Sequence, residues 1–440
     1  RLRMTSQNKS YDAIVIGAGI IGTSVAYELA RKGIKTLGID KLPAAGYGST
    51  AGSCAIIRSY YSTMDGSAIA YDGINYWRNW REHLNADNDE GLAVYRNTGC
   101  VVLKTEQNGY MAHAKELMGK LNVPIEDWDT ETLKARFPII DTNEYHPPRR
   151  HDDPKFGEST GRTVTGAIFF PDGGYVSDPQ LSARNVYDAF KRAGGEYIFN
   201  AEVTAIEQSG GRVSGVTLAD GTTINAPIVV NVAGPHSAKI NDMAGVTDSM
   251  KISTRALRHE VAHVPAPNGF DYENEGYIYS DSDIACYSRP EIGNHILIGS
   301  EDPECDPKIW VDPDAFEAGF TDQWTAQVSR MAQRFEGLGI PNQSKGLVAL
   351  YDVTEDWGPI YDRSDLDGFY LAIGSSGNQF KNGPTAGKMM ANLIEACENG
   401  HNHDATPVQF ELEHLDYTVS MGFCSRNREI NENSSFSVIG

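Results

Sequence analysis

The sequence has few cysteines, and they lack the spacing that binds a structural metal. Six cysteines are scattered over 440 residues, with no CxxC pair and no Cys/His cluster at zinc-ligand spacing. Scattered cysteines in a chain of this size are typical of reduced thiols in the cytosol. We therefore expect a cytoplasmic protein without a zinc site or a framework of disulfides.

Long apolar runs are missing as well. The longest ones, residues 13–16 and 228–233, have the length of single buried strands, so we expect no membrane-spanning helix. The first ten residues contain no apolar run of the kind that a secretory signal needs, so no signal peptide is expected there.

Positive charge is scarce relative to negative charge. The chain has 38 Lys and Arg against 59 Asp and Glu, a formal net charge of −21. A surface of this sign repels nucleic-acid phosphates and anionic lipids, which argues against both as partners. An anionic substrate would need a local cluster of cations. The length and the 40% share of hydrophobic residues predict two or three domains.

What the sequence does contain is a complete β-α-β pattern near its start. The apolar run 11–16 predicts a buried strand, and it leads into the glycine motif GAGIIG of residues 17–22. Residues 23–32 combine helix formers with an apolar stripe, and a second apolar run, 35–39, ends at Asp40. This order of strand, glycine motif, helix, strand and acid predicts a dinucleotide site.

Each glycine of this motif has a physical task. Gly17 permits a tight turn, Gly19 lets the backbone approach a pyrophosphate, and Gly22 allows the helix to pack closely on the strand. The helix presents free N–H groups and the positive end of its dipole to that anion. Asp40 can accept a hydrogen bond from a ribose hydroxyl. The alternative is an ordinary β-α-β unit with structural glycines.

The order of the remaining segments favours FAD over NAD. In an NAD enzyme further strands usually follow directly, whereas here the chain continues into GSTAGSCAIIRSYYS, residues 48–62, and the α/β pattern resumes only near residue 175. Gly46, Gly48 and Gly52 would let an isoalloxazine ring approach the backbone. The alternative for these glycines is a flexible surface loop.

The predicted fold class combines α/β and α+β architecture. A Rossmann-like FAD-binding domain is assembled from residues 10–92, 174–248 and 346–400. An inserted antiparallel-sheet substrate domain comprises residues 93–173 and 249–345, which are richer in aromatic and β-branched residues. Residues 401–440 form a polar tail that we expect to wrap the surface or to serve an interface.

Four further motifs make the chain resemble a known family. They are FPDGGYVSDP at 170–179, VNVAGPHS at 230–237, YSRPE at 287–291 and GSSGNQFKNGP at 374–384. With the first glycine motif, they resemble the FAD-dependent amine and amino-acid oxidoreductases of the D-amino-acid oxidase type, such as glycine oxidase, sarcosine oxidases and dimethylglycine dehydrogenase. The resemblance covers about residues 11–397 and implies FAD as cofactor.

The glycine motif and the resemblance together predict the residues that contact the cofactor. They are Gly17, Gly19, Ile20, Ile21, Gly22, Asp40, Lys41, Gly48, Ser49, Thr50, Gly52, Ser53, Cys54, Val203, Ala233, Gly234, Gly374, Gly377, Asn378, Gln379, Phe380 and Lys381.

The resemblance also bears on how the cofactor is held. Some relatives attach FAD through a cysteine, where this chain has Ala349, and others through a histidine, where it has Gly52. We therefore expect noncovalent FAD, with Cys54 as the alternative attachment point.

The family implies a substrate site as well. Arg58 and Lys381 match a pair of cations that bind the substrate carboxylate, and Tyr287 and Tyr351 match tyrosines of the pocket. Arg and Lys are suited to a buried carboxylate. The alternatives are a structural ion pair or backbone carbonyls for Arg58, an exposed loop position for Lys381, and core packing for the tyrosines. His259 could be a base, but a structural strand histidine is favoured.

The implied activity is oxidation of a C–N bond in a small carboxylate-bearing secondary or tertiary amine. A hydride would pass from Cα to flavin N5, and the imine would hydrolyse to an aldehyde or oxo acid plus an amine. Sarcosine, dimethylglycine and iminodiacetate fit. One alternative is a glycine or D-amino-acid oxidase or dehydrogenase. Another is the flavin subunit of a multi-protein dehydrogenase, with the tail as a docking or oligomer contact.

Three further predictions concern the electron acceptor, a second substrate carboxylate and a group of aromatic residues. Leu297 stands where a lysine of monomeric sarcosine oxidase promotes reaction with O₂, so the acceptor is either O₂ or an electron-transfer protein or quinone. A second substrate carboxylate would need further cations, for which the candidates are Arg255, Arg258 and Arg289. An aromatic group at helical spacing is expected to pack in the core rather than bind the cofactor: Tyr76, Trp77 and Trp80.

Overall fold

The computed structural model describes residues 10–106 and 108–440, with the side chain of Tyr110 outside the description. Its first unit is a six-stranded sheet. All neighbouring strands are parallel except for one edge pair, Ile360–Arg363 with Phe369–Ile373. In spatial order the strands are Ile360–Arg363, Phe369–Ile373, Ile228–Asn231, Ala13–Ile16, Thr36–Ile39 and Glu196–Ile198. The predicted β-α-β unit lies at the centre of this sheet.

The central strands are apolar because helices cover the sheet. All four residues of Ala13–Ile16 are buried, as are those of Thr36–Ile39 and Ile228–Asn231. The helices of this unit are Ile20–Arg31, Pro179–Arg192, Ser237–Ala244 and Gly383–Glu398. A three-stranded antiparallel sheet accompanies them: Val203–Ser209, Arg212–Leu218 and Thr223–Asn225.

The second unit is a nine-stranded, mainly antiparallel sheet. Its strands are Ile309–Trp310, Arg255–Pro265, His295–Ser300, Cys286–Glu291, Ile278–Asp281, Cys100–Leu103, Gly166–Phe170 and Glu126–Asp129, with Gly346–Val353 paired to Arg255–Pro265. The helices Tyr110–Leu121, Thr130–Arg136, Tyr272–Glu275 and Asp322–Arg334 belong to this part of the chain. Because Gly346–Val353 joins this sheet, strand pairing extends the second unit past the predicted boundary at residue 346.

Short elements connect the two units. A small sheet is formed by Ile56–Ile57, Gly174–Val176 and Tyr95–Arg96. The remaining helices are Met64–Arg78 and Trp80–Leu84, with 3₁₀ turns at Gly234–His236, Thr247–Ser249, Phe380–Asn382 and Met421–Cys424. Trp77 stacks on Trp80 and on Phe380, with ring centroids 4.5 and 5.3 Å apart. Tyr76, Trp77 and Trp80 are buried, as predicted for core packing.

The tail, residues 401–440, does not simply wrap around the surface. Its strands Gln409–Glu411 and Thr418–Ser420 form a hairpin, and Val419, Met421 and Cys424 are fully buried. Arg426, also buried, pairs with Asp362 at 3.0 Å. The tail is therefore part of the folded core, and its role in an oligomer stays a prediction.

Candidate active site

The two units enclose one large cavity of about 790 Å³, a volume typical of ligand sites. Every residue of the predicted cofactor and substrate sets lines it. The parallel strands end here: Gly17 follows Ala13–Ile16, Asp40 follows Thr36–Ile39, and Gly374 follows Phe369–Ile373. Ligands of open α/β sheets bind at this edge. The roles assigned to the individual residues remain predictions.

Close contacts within the turn leave no room for a side chain at two glycines of the motif, Gly17 and Gly22. Gly17 has φ +122°, and a Cβ there would lie 2.0 Å from the carbonyl oxygen of Val232. A Cβ at Gly22 would lie 2.4 Å from the carbonyl oxygen of Gly17. The Ile20 N–H at the start of the helix donates to Thr50 Oγ1 at 3.0 Å. The turn and the helix therefore pack as the motif predicts.

Asp40 braces the neighbouring loops. One carboxylate oxygen accepts from the Ala18 N–H and the other from the Leu42 N–H, each at 2.8 Å. Burial raises the pKa of Asp40. Each carboxylate oxygen can accept a second hydrogen bond, so the predicted contact to a ribose hydroxyl is chemically compatible with this bracing.

The cavity leaves backbone uncovered where a flat cofactor would need it. A Cβ at Gly234 would meet nothing within 4 Å, and one at Gly48 would meet only Leu42 Cδ1, at 3.7 Å. Gly52 and Ala349 face each other, because a Cβ at Gly52 would lie 2.6 Å from that of Ala349. The residues present fit FAD, and the two positions that the resemblance matches to attachment points lie side by side, with no nucleophile at either of them.

Arg58 and Lys381 come together although 322 positions separate them in the sequence numbering. The Arg58 guanidinium lies 4.3 Å from the centroid of the Tyr61 ring, and Lys381 Nζ lies 5.3 Å from the same centroid. Both side chains are buried, with 6% and 4% exposure. Among the described residues, neither forms an ion pair. A buried cation without a counter-ion is costly, so the pair is suited to an anionic ligand.

Backbone and tyrosine oxygens hold these cations instead. Arg58 donates to the carbonyl oxygens of Tyr60 and Ile439. Lys381 Nζ donates to Tyr61 Oη at 2.9 Å and to the carbonyl oxygen of Asn378 at 2.8 Å. Burial, followed by the charge of Arg58, lowers the pKa of Lys381 well below its ordinary value. The backbone-carbonyl alternative for Arg58 is thus realised here, and a bound carboxylate would compete with Ile439.

The predicted pocket tyrosines lie together. Tyr287 Oη and Tyr351 Oη are 3.3 Å apart, and Cys54 Sγ is 3.9 Å from Tyr287 Oη. Burial raises the pKa of both tyrosines, so their hydroxyls stay protonated. Leu297 is 8% exposed and packs against Cys54 and Tyr287. The position that matches an O₂-promoting lysine is therefore next to the cavity and apolar.

His259 lines the cavity beside Tyr351, with ring centroids 3.5 Å apart and planes inclined by 19°. Burial and the charge of Arg258 lower the pKa of His259 to about 3. Its Nδ1 is buried without a hydrogen-bond partner. The imidazole is therefore neutral at physiological pH, and it lies opposite Ala349 in the strand register.

The three further arginine candidates lie outside the cavity lining. Arg258 pairs with the buried Glu260 at 2.7 Å, and Arg289 pairs with Glu291 at 3.3 Å. Arg255 lies over the Trp310 ring, 3.5 Å from its centroid. Among the described residues these arginines have structural partners, so the cations of the cavity centre are Arg58 and Lys381.

Sequence reasoning missed several lining residues. Tyr60, two positions after Arg58, lines the cavity, and the aromatic pair Tyr60-Tyr61 was the available signal. Val438 and Ile439 come from the tail, whose polar composition gave no signal. Glu301 lines the cavity and is 7% exposed. It directly follows the buried strand His295–Ser300, and an acid at the end of an apolar strand could have indicated it.

An ion-pair cluster closes the outer end of the cavity. Lys41 Nζ and His236 Nε2 lie 2.8 and 2.9 Å from Asp314 Oδ1, and Lys239 lies 2.6 Å from Asp314 Oδ2. These contacts lower the pKa of Asp314. The predicted cofactor residue Lys41 is thus paired across the two units.

Within residues 10–106 and 108–440, no helix combines the length and the apolar character needed to cross a bilayer.

Comparison with known proteins identifies the family. The family model described as "FAD dependent oxidoreductase" (DAO) matches residues 12–393. FAD-dependent oxidoreductase domain-containing protein 1 of Xenopus laevis is 22% identical over 422 residues, covering 87% of this chain and 79% of that one. The sarcosine oxidase beta subunit of Rhodobacter capsulatus is 26% identical over 400 residues, covering 88% and 85%. The structure of glycine oxidase from Geobacillus kaustophilus superposes with a TM-score of 0.72 at 18% identity, covering 96% and 100%. These matches confirm the predicted fold, and the chain belongs to the DAO family of FAD-dependent oxidoreductases.

Proposed function

We propose that the protein oxidises a small secondary or tertiary amine that carries a carboxylate, of the N-substituted glycine class. One observation supports this most directly: Arg58 and Lys381, two buried basic residues of the cavity lining, lie against the same Tyr61 ring without an acidic partner among the described residues. A substrate carboxylate would supply the missing charge. The similarity to a sarcosine oxidase subunit supports an N-methyl amine.

FAD, when bound, would supply the two-electron oxidant, since it can take up a hydride from the substrate Cα. The protein's own part is orientation. Arg58 and Lys381 hold the carboxylate, so the reacting carbon is fixed relative to the cavity wall, which is proximity catalysis. Tyr287 and Tyr351 supply an apolar wall with hydroxyl tips for the amine. His259, neutral and beside Tyr351, is available as a hydrogen-bonding group for the same amine.

Anaerobic bleaching of the flavin tests this function without an assumption about the electron acceptor. The loaded protein is mixed with sarcosine, dimethylglycine, iminodiacetate, glycine and both enantiomers of alanine. Loss of the oxidised flavin absorbance with the N-substituted glycines is the expected result. Bleaching only by glycine or D-alanine would favour the alternative of a primary amino-acid oxidase or dehydrogenase, and no bleaching by any carboxylate would contradict the proposal.

Lys381 should make carboxylate binding pH-dependent. Its pKa is depressed in the free cavity by burial and by Arg58, and a bound carboxylate would raise it. Binding therefore takes up a proton, and affinity is highest below the free-site pKa of Lys381. It falls about tenfold per pH unit between that pKa and the pKa of Lys381 in the complex. Titration of the flavin absorbance with acetate between pH 6 and 10 measures this. Lys381→Met should give a nearly flat profile, and an unchanged slope would contradict the assignment.

We further propose that FAD is bound without a covalent link, since Gly52 and Ala349 face each other at the two positions where relatives attach it. Acid precipitation should leave the yellow flavin in the supernatant. Flavin fluorescence that stays with the protein band on a denaturing gel would contradict this, and a Cys54→Ser variant would then test the remaining thiol.

A second candidate function is the flavin subunit of a larger dehydrogenase, because a similar protein is itself a beta subunit. Gel filtration, combined with a measurement of oxygen uptake, distinguishes the two candidate functions. A stable single-chain species that forms peroxide from an N-alkyl glycine would exclude an obligate subunit.

We propose a cytoplasmic location, which the scattered free cysteines support.

A further inference from the structure

A second cavity of about 570 Å³ adjoins the first. Glu301 and Ile439 line both cavities, so they form the junction between them. The wall of the second cavity is acidic, with Glu301, Asp302 and Glu304, and its only basic side chain among the described residues is that of His146. The two cavities thus differ in the side chains that line them, basic at Arg58 and Lys381 and acidic at the junction.

Glu301 lacks a cationic partner. It is 7% exposed and accepts a hydrogen bond from Ser280 Oγ at 2.6 Å, but it forms no ion pair among the described residues. Two buried arginines in the same unit are already paired, Arg334 with Asp281 at 2.7 Å and Arg330 with Asp306 at 2.5 Å. Burial, with the charges of Asp281 and Asp302, raises the pKa of Glu301 to about 8. The carboxyl is therefore mostly protonated in the empty cavity at neutral pH, and a bound cation would favour its ionised form.

Asp302 adjoins Glu301 in the wall of the second cavity, and Lys308 and the Val438 N–H act on its carboxylate. One of its carboxylate oxygens, Oδ2, is buried without a hydrogen-bond partner, and its backbone has φ +57°, a conformation that costs energy outside glycine. Buried carboxylates are normally paired or hydrogen-bonded. Glu301 is a buried carboxyl without an ion pair, and the neighbouring Asp302 has one oxygen without a hydrogen-bond partner. At the junction of two cavities, these two groups indicate a cationic ligand group.

We propose that Glu301, with Asp302, binds a cationic arm of the substrate, an amine or guanidinium, while Arg58 and Lys381 hold its carboxylate. This rests on the proposed function and narrows it to amino acids or N-substituted glycines that carry a second positive charge. The Tyr60 side chain links the carboxylate-binding residues to Glu301. The Arg58 guanidinium is 4.9 Å from the centroid of the Tyr60 ring. The Tyr60 hydroxyl interacts with Ser280, which donates a hydrogen bond to Glu301. An arm of a few methylene groups would span the Tyr60 ring.

The test uses two substrates of equal length, Nα-methyl-lysine and N-methyl-norleucine, which differ in a terminal ammonium against a methyl group. Apparent Kd values come from anaerobic flavin reduction. We expect the cationic arm to bind at least about tenfold more tightly, an increment typical of a charge-assisted contact. Glu301→Gln should bring the ratio of the two Kd values close to one. Glu275→Gln, at an exposed helix position outside both cavity linings, should keep the wild-type ratio.

The outcomes separate this inference from the proposed function. If both compounds reduce the flavin with equal Kd, the cationic subsite is wrong and the function stands. If neither reduces it, the function fails for this class, and calorimetry with the same two compounds still measures the ratio. A wild-type ratio of one or less overturns the subsite even if Glu301→Gln does not fold, which retained FAD and thermal unfolding would reveal.

Discussion

Replacement of Arg58 by alanine should weaken carboxylate binding by about 100-fold or more while FAD stays bound. Loss of one partner of a buried, hydrogen-bonded charge contact costs about 2–5 kcal/mol. We place the effect toward the lower end, because Arg58 already donates to the carbonyl oxygens of Tyr60 and Ile439 in the free site. The measurement is the apparent Kd for anaerobic reduction by sarcosine, with the FAD-to-protein absorbance ratio recorded alongside.

Two further variants sharpen this test. Arg58→Lys keeps the charge but loses the planar fork, so an intermediate loss is expected. Lys381→Met removes the second cation, and the double variant should lose less than the sum of the two single effects because both groups act on one carboxylate. Loss of FAD with an unchanged Kd in the remaining loaded protein would mean that Arg58 supports the cofactor or the fold instead.

Local backbone geometry explains why the cofactor end could be predicted from the sequence. Gly17 and Gly22 are required by contacts within one turn and its neighbouring strand, and Asp40 follows one strand later. Because these requirements act over short stretches of chain, they fix the spacing of the glycines and of the acid in the sequence, and this spacing can be recognised. The placement of Arg58 beside Lys381 could not be read from spacing, and only the resemblance to a family brought these distant positions together.

Other features of the site depend on long-range contacts that leave no local pattern. The tail looked like a polar surface segment, yet Arg426 pairs with the buried Asp362 and Ile439 reaches Arg58. Burial of Glu301 depends on chain segments far from it in sequence, which meet at the junction of the two cavities. Strand pairing of Gly346–Val353 across the predicted domain boundary has the same cause.

Leu297→Lys should speed the reaction of the reduced protein with O₂ by about 100-fold. A cation beside the flavin stabilises the negative charge that O₂ acquires when it accepts an electron, and one preorganised electrostatic contact is worth about 10²–10³ in rate. Leu297 packs against Cys54 and Tyr287, which line the cavity, so a lysine stem can replace it there. The hydroxyls of Tyr287 and Tyr351, 3.3 Å apart, offer acceptors for the ammonium.

Stopped-flow mixing of the reduced protein with O₂ measures this rate, and Leu297→Met is the matched control because it changes the packing without adding charge. We expect slow reaction with O₂ in the wild type and in the methionine variant, and fast reaction in the lysine variant. This result would mean that the lack of a positive charge at position 297 limits oxidase activity, and that a protein or quinone acceptor serves the natural reaction. An equal rise in both variants would contradict this, because packing would then control access of O₂. A wild type as fast as the lysine variant would make O₂ itself the acceptor. Its activation would then occur elsewhere in the cavity, and the buried Lys381, which lines the cavity, would be examined next.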